Sequence, residues 1–349
     1  MDNFKIKIFN SFTEELKECW EKFEKISNHY FFQSYKWQKL WFDHQKKYKR
    51  PIKNYSIVIE DNSEIIMIMP LNIDSSYGIK KLYWSGFPFS DYNCPLINKK
   101  KKIDEKSFLK IWNLILENKH HFDCIIFKNQ PRRILYEKNP FFYSLNNNIE
   151  NKSFGIDLKE NFKLEKKEQF NINYQIKRLA NSGELKFKIA KNKEEILRIV
   201  NFIIKHKSKQ YENTNAWNLF KIDVNKSFFN SSSLEFNKIM YITYLMLNEK
   251  IIAAHFGYIY NKRCYYLFPV YDYSYKKYSP GKILLKKIID HCIANSLEYF
   301  DLTIGSEDYK KKYSNNENEI SFYFKTINYK GIFFITILQF KELLKKIIK

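Results

Sequence analysis

Arginine is scarce in this 349-residue chain: Arg50, Arg132, Arg133, Arg178, Arg198 and Arg263 are its six, among 60 basic residues. The guanidinium is the side chain best suited to bidentate recognition of bases and phosphates. The net charge of +22 is therefore lysine charge. It reads as the lysine-, asparagine- and isoleucine-rich composition of an AT-rich genome, with nonspecific attraction for anions and no specific DNA binding. Cysteine is scarce as well. Cys19, Cys94, Cys124, Cys264 and Cys292 are odd in number and scattered, and no pair has C-x-x-C spacing. That pattern argues against a disulfide framework and a zinc knuckle, and no metal is expected; the thiols read as reduced and buried. Long apolar runs are missing too. The longest near the end covers 332–338, far short of the ~20 residues that span a bilayer. The first residues lead into a charged stretch at 14–24 with no apolar core and no small-residue cleavage site, so a cytoplasmic location is expected.

What is present describes an ordered globular protein: 44% hydrophobic, 28% charged and 18% aromatic residues, enough for two cores. The pattern carries a weak internal repeat. Strand-like segments at 55–60, 64–71 and 80–84 precede helical apolar spacing over 107–118 and a buried strand at 122–127. The second half replays this order: strands at 241–247, 251–260 and 264–269, a helix over 281–295 and a closing strand at 299–304. Two lobes are expected, each a mainly antiparallel sheet covered by helices in a mixed α/β fold. The polar segment 146–171 is the expected junction, dividing the chain into 1–160 and 161–349. Helices are expected at 174–180 and 193–210, and a Ser- and Asn-rich loop entering a helix at 225–236.

The sharpest local feature runs from Tyr275 to Leu284, after the third strand and at the start of a helix. Ser279 suits an N-cap, and Pro280 suits the first turn, where its missing N–H costs nothing. Gly281 lets a ligand approach the backbone. Open amides and the positive end of the helix dipole then make an anion site, with Lys276, Lys277 and Lys282 adding charge. A simple helix cap reads the same residues equally well.

The order Leu247-Asn248-Glu249-Lys250-Ile251-Ile252-Ala253, Tyr271-Asp272, Tyr278-Ser279-Pro280-Gly281, Phe300-Asp301-Leu302-Thr303-Ile304-Gly305 and Tyr309-Lys310 resembles the GNAT acetyltransferase superfamily. More narrowly, the chain resembles the two-lobed CelD-type acyltransferases, relatives of the FemAB peptidyltransferases. The first half joins in with Phe32-Gln33-Ser34-Tyr35-Lys36-Trp37, Met69-Pro70-Leu71, Gly86 and Ser90-Asp91-Tyr92. The superfamily's pyrophosphate loop, Q/R-x-x-G-x-G/A, falls here with Lys276 at its first position, Ser279 at the first glycine and Gly281 at the last. Only the last glycine matches. The resemblance implies an acyl-CoA co-substrate held by Lys276, Tyr278, Ser279, Pro280, Gly281 and Lys282.

Amine acylation needs a base for the attacking amine and an acid for the leaving thiolate. The resemblance places a tyrosine acid just after the strand that follows the cofactor helix, where Tyr309 and Tyr313 lie, and a histidine near position 206 facing the cleft. His206 titrates near neutrality, which suits a base, and a solvated helix histidine is its alternative. Glu307, at a strand-to-helix turn, reads as base or as helix cap. Asp272 and Asp91 are further candidate bases, and Asp272 is also expected, with Asp91 and Tyr92, to bind the substrate. Asp91 and Tyr92, after the aromatic loop 84–89, read as an acceptor wall or a plain connection. His120 and His121 read as a helix end, not a metal site.

Together these readings imply an N-acyltransferase acting on an amine of an amino sugar or another cell-envelope precursor, by a ternary mechanism without a covalent enzyme intermediate. A FemAB-like aminoacyl-tRNA-dependent transferase and a non-catalytic GNAT-derived binding module are the alternatives. The segment 333–349 is amphipathic, with Ile337, Phe340, Leu344 and Ile347 opposite Lys341, Lys345 and Lys349. Docking on the second lobe is expected, with contact to an anionic membrane surface as the other reading.

Overall fold

The computed structural model describes residues 3–160 and 162–347, with residues 339 and 341–347 described in backbone only. It divides into two compact units: residues 152–317 form one, and residues 1–151 together with 318–349 form the other. The division anticipated from sequence put the end of the chain with the second half, whereas residues 318–349 group with the first unit.

In the first unit, one antiparallel sheet orders the strands Phe4–Phe9, Ser56–Asp61, Glu64–Met69, Leu96–Asn98 and Ser27–Asn28. The helix Glu14–Glu24 starts at Thr13, whose hydroxyl accepts from the Leu16 amide at 3.2 Å. It buries Leu16, Trp20 and Phe23 with Phe9, Val58, Ile68 and Leu96. The charged stretch of the sequence is thus the solvated face of an amphipathic helix. A second sheet holds Cys124–Pro131, Lys81–Trp84, Leu71–Asp74 and Ile52–Asn54, with Lys81–Trp84 parallel to Cys124–Pro131. The expected strand 64–71 is cut in two at Pro70: Glu64–Met69 pairs in the first sheet and Leu71–Asp74 in the second. Proline has no N–H to give a ladder, so the chain changes sheets there.

In the second unit the sheet order is Leu185–Ile189, Met240–Leu247, Lys250–Tyr260, Arg263–Tyr266, Tyr299–Ile304 and Asn148–Asp157. Pairing is antiparallel except between Arg263–Tyr266 and Tyr299–Ile304, which are parallel. The helix Pro280–Ala294 is the crossover between those two, as a parallel pair requires. It buries Ile283, Leu284, Leu285, Ile288, Ile289 and Cys292, each large aliphatic contributing about 1.5–3 kcal/mol of burial. The repeat read from the sequence is visible in both units as strand, turn, strand, third strand, helix and parallel strand.

Three local expectations are corrected. The expected junction 146–171 does hold the division between the units, at 151/152, but it is structured: it contains the strand Asn148–Asp157 and the start of the helix Lys166–Ala180. The third strand of the second unit ends at Tyr266, short of Pro269. Residues 225–236 are mostly the helix Asp223–Glu235, where Ser232 and Ser233 donate back to the carbonyls of Phe229 (2.9 Å) and Asn230 (2.6 Å). Backward bonding of this kind lets buried serines sit inside a helix.

The parallel pair ends early. Hydrogen-bonded register runs Arg263–Tyr299, Cys264–Phe300 and Tyr265–Asp301. Asp301, 1% exposed, binds Arg263 Nη1 at 2.7 Å and accepts the Thr303 amide at 2.8 Å. Arg263 also lies over the Tyr299 ring at 3.8 Å. Removing one partner of a buried ion pair strands the other charge. Asp301→Asn is therefore expected to lower unfolding stability by about 3–5 kcal/mol in urea melts; a loss below about 1 kcal/mol would mean that the pair is solvated.

Candidate active site

Beyond the last parallel pair, a cavity of about 650 Å³ opens in the second unit. Its wall includes Tyr266 and Pro269 at the end of one strand, Ser279, Gly281, Lys282 and Leu284 at the start of the helix, Glu307 and Tyr309 after the partner strand, and His206, Lys209 and Gln210 from the helix Lys193–Asn213. Tyr271, Tyr273 and Lys276 complete one side.

The helix start differs from the expected cap. Ser279 has φ 50 and ψ 48, a left-handed conformation, and its side chain makes no capping bond. Instead its carbonyl accepts the amides of Lys282 (3.0 Å) and Ile283 (3.3 Å). Pro280 has no amide, so the open donor of the first turn is the Gly281 N–H, which has no intrahelical acceptor by helix geometry. Packing does not demand glycine at 281: its φ is not positive, and a Cβ would meet only Tyr271 Cδ1, at an ordinary 3.5 Å. A phosphate-bearing group would meet an open amide, a helix N-terminus and the charges of Lys276 and Lys282 on one wall. Lys282 is shared with Glu168 at 2.8 Å, and Glu168 also accepts from the Tyr313 hydroxyl at 2.9 Å.

His206 packs on Phe202 with ring centroids 4.1 Å apart. Burial pushes its imidazole below the ordinary value, while the Asp272 carboxylate pulls it upward. Burial therefore favours the uncharged ring. Asp272 is pushed up by partial burial, but the Ser274 amide (3.0 Å) and hydroxyl (2.8 Å) outweigh that and hold it below the usual range. Tyr309 is displaced upward by burial and by Glu307, so its phenol keeps its proton. Glu307 forms an ion pair with Lys310 at 3.2 Å, and Lys310 Nζ also donates to the Ile304 carbonyl at 2.6 Å.

The structure brings His206, Lys276, Ser279, Gly281, Lys282, Glu307 and Tyr309 into one cavity wall. It places the other sequence candidates elsewhere. Tyr278 lies under Arg178, 5.0 Å from its ring centroid, and Pro280 is buried in the helix packing. Asp272 stands behind His206 and caps the turn Tyr273–Tyr278. Tyr313 is fully buried. Asp91 and Tyr92 belong to the first unit, where Tyr92 is 2% exposed and stacks on Tyr30 at 4.4 Å. Sequence reasoning missed Tyr266, Lys209 and Gln210. Tyr266 is one of 26 tyrosines, and the signal that could have found it was its place before Pro269, where the strand must stop. Among the described residues no cluster of His, Cys, Asp or Glu could hold a metal ion.

A mostly antiparallel sheet, one parallel pair that parts, and a crossover helix whose open start lines the gap are the layout of the GNAT fold. Residues 166–311 match the family model of the acetyltransferase (GNAT) domain. Its fold is that of FemX (TM-score 0.57, 9% identity, covering 90% of this chain and 96% of that one). L-PGS from Bacillus licheniformis is similar (0.55, 12%, 92% and 96%). So is a conserved protein of unknown function from Bacteroides thetaiotaomicron VPI-5482 (0.56, 11%, 91% and 99%). The sequence has no match among curated proteins.

The titration of His206 is directly measurable. Its ring protons should follow an NMR pKa below 6.5. Asp272→Asn should lower that pKa further, because a negative charge that favours the imidazolium is removed. A rise on that substitution would show that Asp272 does not act on the ring.

Proposed function

We propose that this chain is an N-acyltransferase that moves an acyl group from acyl-CoA to an amine of an amino sugar or another cell-envelope precursor. The observation that carries the reading is the cavity itself: an anion-ready helix start, a neutral histidine and a protonated tyrosine share one wall. The pyrophosphate of the donor would sit on the Gly281 amide between Lys276 and Lys282. The pantetheine arm would run along the gap where the strands part, toward Tyr266 and Tyr309. His206 takes a proton from the amine as its nitrogen attacks the acyl carbon. The C–N bond forms, the C–S bond breaks, and the departing thiolate takes the phenolic proton of Tyr309. Glu307 is the alternative proton acceptor. Asp91 remains a candidate for acceptor binding; Tyr92 would contribute only through its packing.

An aminoacyl-tRNA donor is the second reading, favoured by the FemX-like fold and by the lysines Lys207, Lys209, Lys276 and Lys282 on the cavity wall. The two donors separate by salt. Lysine-mediated tRNA binding should weaken steeply with ionic strength and ignore sequence, whereas acyl-CoA should stabilise the protein in a thermal-shift assay at physiological salt. A tight, salt-resistant complex with one aminoacyl-tRNA would replace the first reading with the second.

Two variants test the site. Gly281→Leu should abolish the thermal shift given by acyl-CoA and leave the melting temperature of the free protein nearly unchanged, since the Cβ position is open. A full acyl-CoA shift in that variant would reduce the loop to a helix cap. Tyr309→Phe should cut turnover by about 10²–10⁴ with acyl-CoA binding retained; unchanged turnover would remove Tyr309 from the proton path.

A further inference from the structure

The helix Tyr329–Ile347 of the first unit has one face docked and another uncovered. The docked face is set by close packing. Gly331 lies against Asp123, where an added Cβ would collide with the carbonyl oxygen, and Ile335, one turn on, is 5% exposed. Asp123 belongs to the first unit, so this face packs within the unit that holds the helix, where the sequence suggested the second lobe. On the other side Tyr329, Ile332, Phe333, Ile337 and Phe340 are exposed, four of them by more than half. At about 100° per residue these five fall within an arc of about 140°, opposite Gly331 and Ile335. Five large apolar side chains on one helix face form a contiguous patch of the kind that marks a binding surface.

The sequence continues that spacing at Leu344 and Ile347 and places lysines at 330, 341, 345 and 346; the side chains of 341–347 lie outside the described residues. Among the described residues no helix is long and apolar enough to cross a membrane. An apolar face with lysines at its flanks, on a chain of net charge +22, is complementary to an anionic lipid surface, where the rings enter the headgroup region and the ammonium groups meet phosphates. A second copy of the chain would instead bring lysine against lysine.

We propose that this helix is a surface anchor that lays its Tyr329–Ile332–Phe333–Ile337–Phe340 face into a bilayer containing anionic headgroups. The test is vesicle co-sedimentation at 0.15 M salt, a screening length of about 8 Å, with phosphatidylcholine alone and with phosphatidylcholine–phosphatidylglycerol mixtures. The full chain should sediment with the mixed vesicles and stay in solution with the neutral ones. Phe333→Asp combined with Phe340→Asp should reduce the bound fraction about tenfold or more, because two rings no longer enter the interface. Circular dichroism and the acyl-CoA thermal shift of that variant serve as folding controls. In addition, Phe333→Trp should give a blue-shifted emission on mixed vesicles. Failure to bind mixed vesicles overturns the proposal. So does equal binding by the double variant, which would reduce the contact to nonspecific charge. A dimer in solution that the double variant dissociates would also overturn it, and would assign the face to a second copy.

Discussion

The second unit depends on the place where two parallel strands stop pairing. Arg263–Tyr266 and Tyr299–Ile304 share three register pairs, and the last involves Asp301. That carboxylate holds Arg263 on one side and the Thr303 amide on the other. Thr303 is β-branched yet has φ 61, a conformation that costs energy and persists only where the surroundings enforce it. On the opposite flank the register with Asn148–Asp157 shifts between Phe154 and Gly155, and a Cβ on Gly155 would collide with the Tyr299 ring. Ion pair, strained threonine and bulge together turn the strand away from its neighbour. The gap leaves Tyr266 in the cavity wall, and the chain that follows delivers Glu307 and Tyr309 to the same wall.

Electrostatics then sort the groups. Burial displaces His206 downward and Tyr309 upward from their ordinary values. One physical cause thus favours the uncharged imidazole and the protonated phenol, since burial penalises whichever form is charged. Asp272 moderates the histidine from behind. Glu168 pairs with Lys282 and accepts from the buried Tyr313 hydroxyl, tying this wall to the core beneath it. A two-proton transfer is chemistry that such a pair can perform once a thioester and an amine are held between them.

Much of this was legible in the chain, and particular residues show why. Gly281 after a proline, at the start of an apolar-periodic run, marks a helix whose first turn is open. Tyr309 and Glu307 stand just past a buried strand, and His206 stands on a helix with a strong apolar stripe. Periodicity and turn chemistry are local, so they survive in one dimension. Other features did not. Ser279 reads as a capping residue, but its left-handed conformation turns the hydroxyl away from that duty. Tyr278 and Pro280 share the loop of Gly281 yet face Arg178 and the core. The polar stretch near residue 150 reads as a junction, and the units do divide there, but its strand was not legible because Tyr299–Ile304 offers it a ladder from far along the chain.

The amino-acid order by itself determined the class of fold, the duplicated strand–helix order of the two halves, the helix that begins at Pro280, and the residue types at the ends of its neighbouring strands. These follow from hydrophobic spacing, proline and glycine placement, and the preferences of helix termini. Only the tertiary structure decided which of the 26 tyrosines reach the cavity, that burial lowers the His206 pKa, and that residues 318–349 return to the first unit. Burial and long-range pairing are properties of surfaces brought together from distant parts of the chain, and no local pattern encodes them.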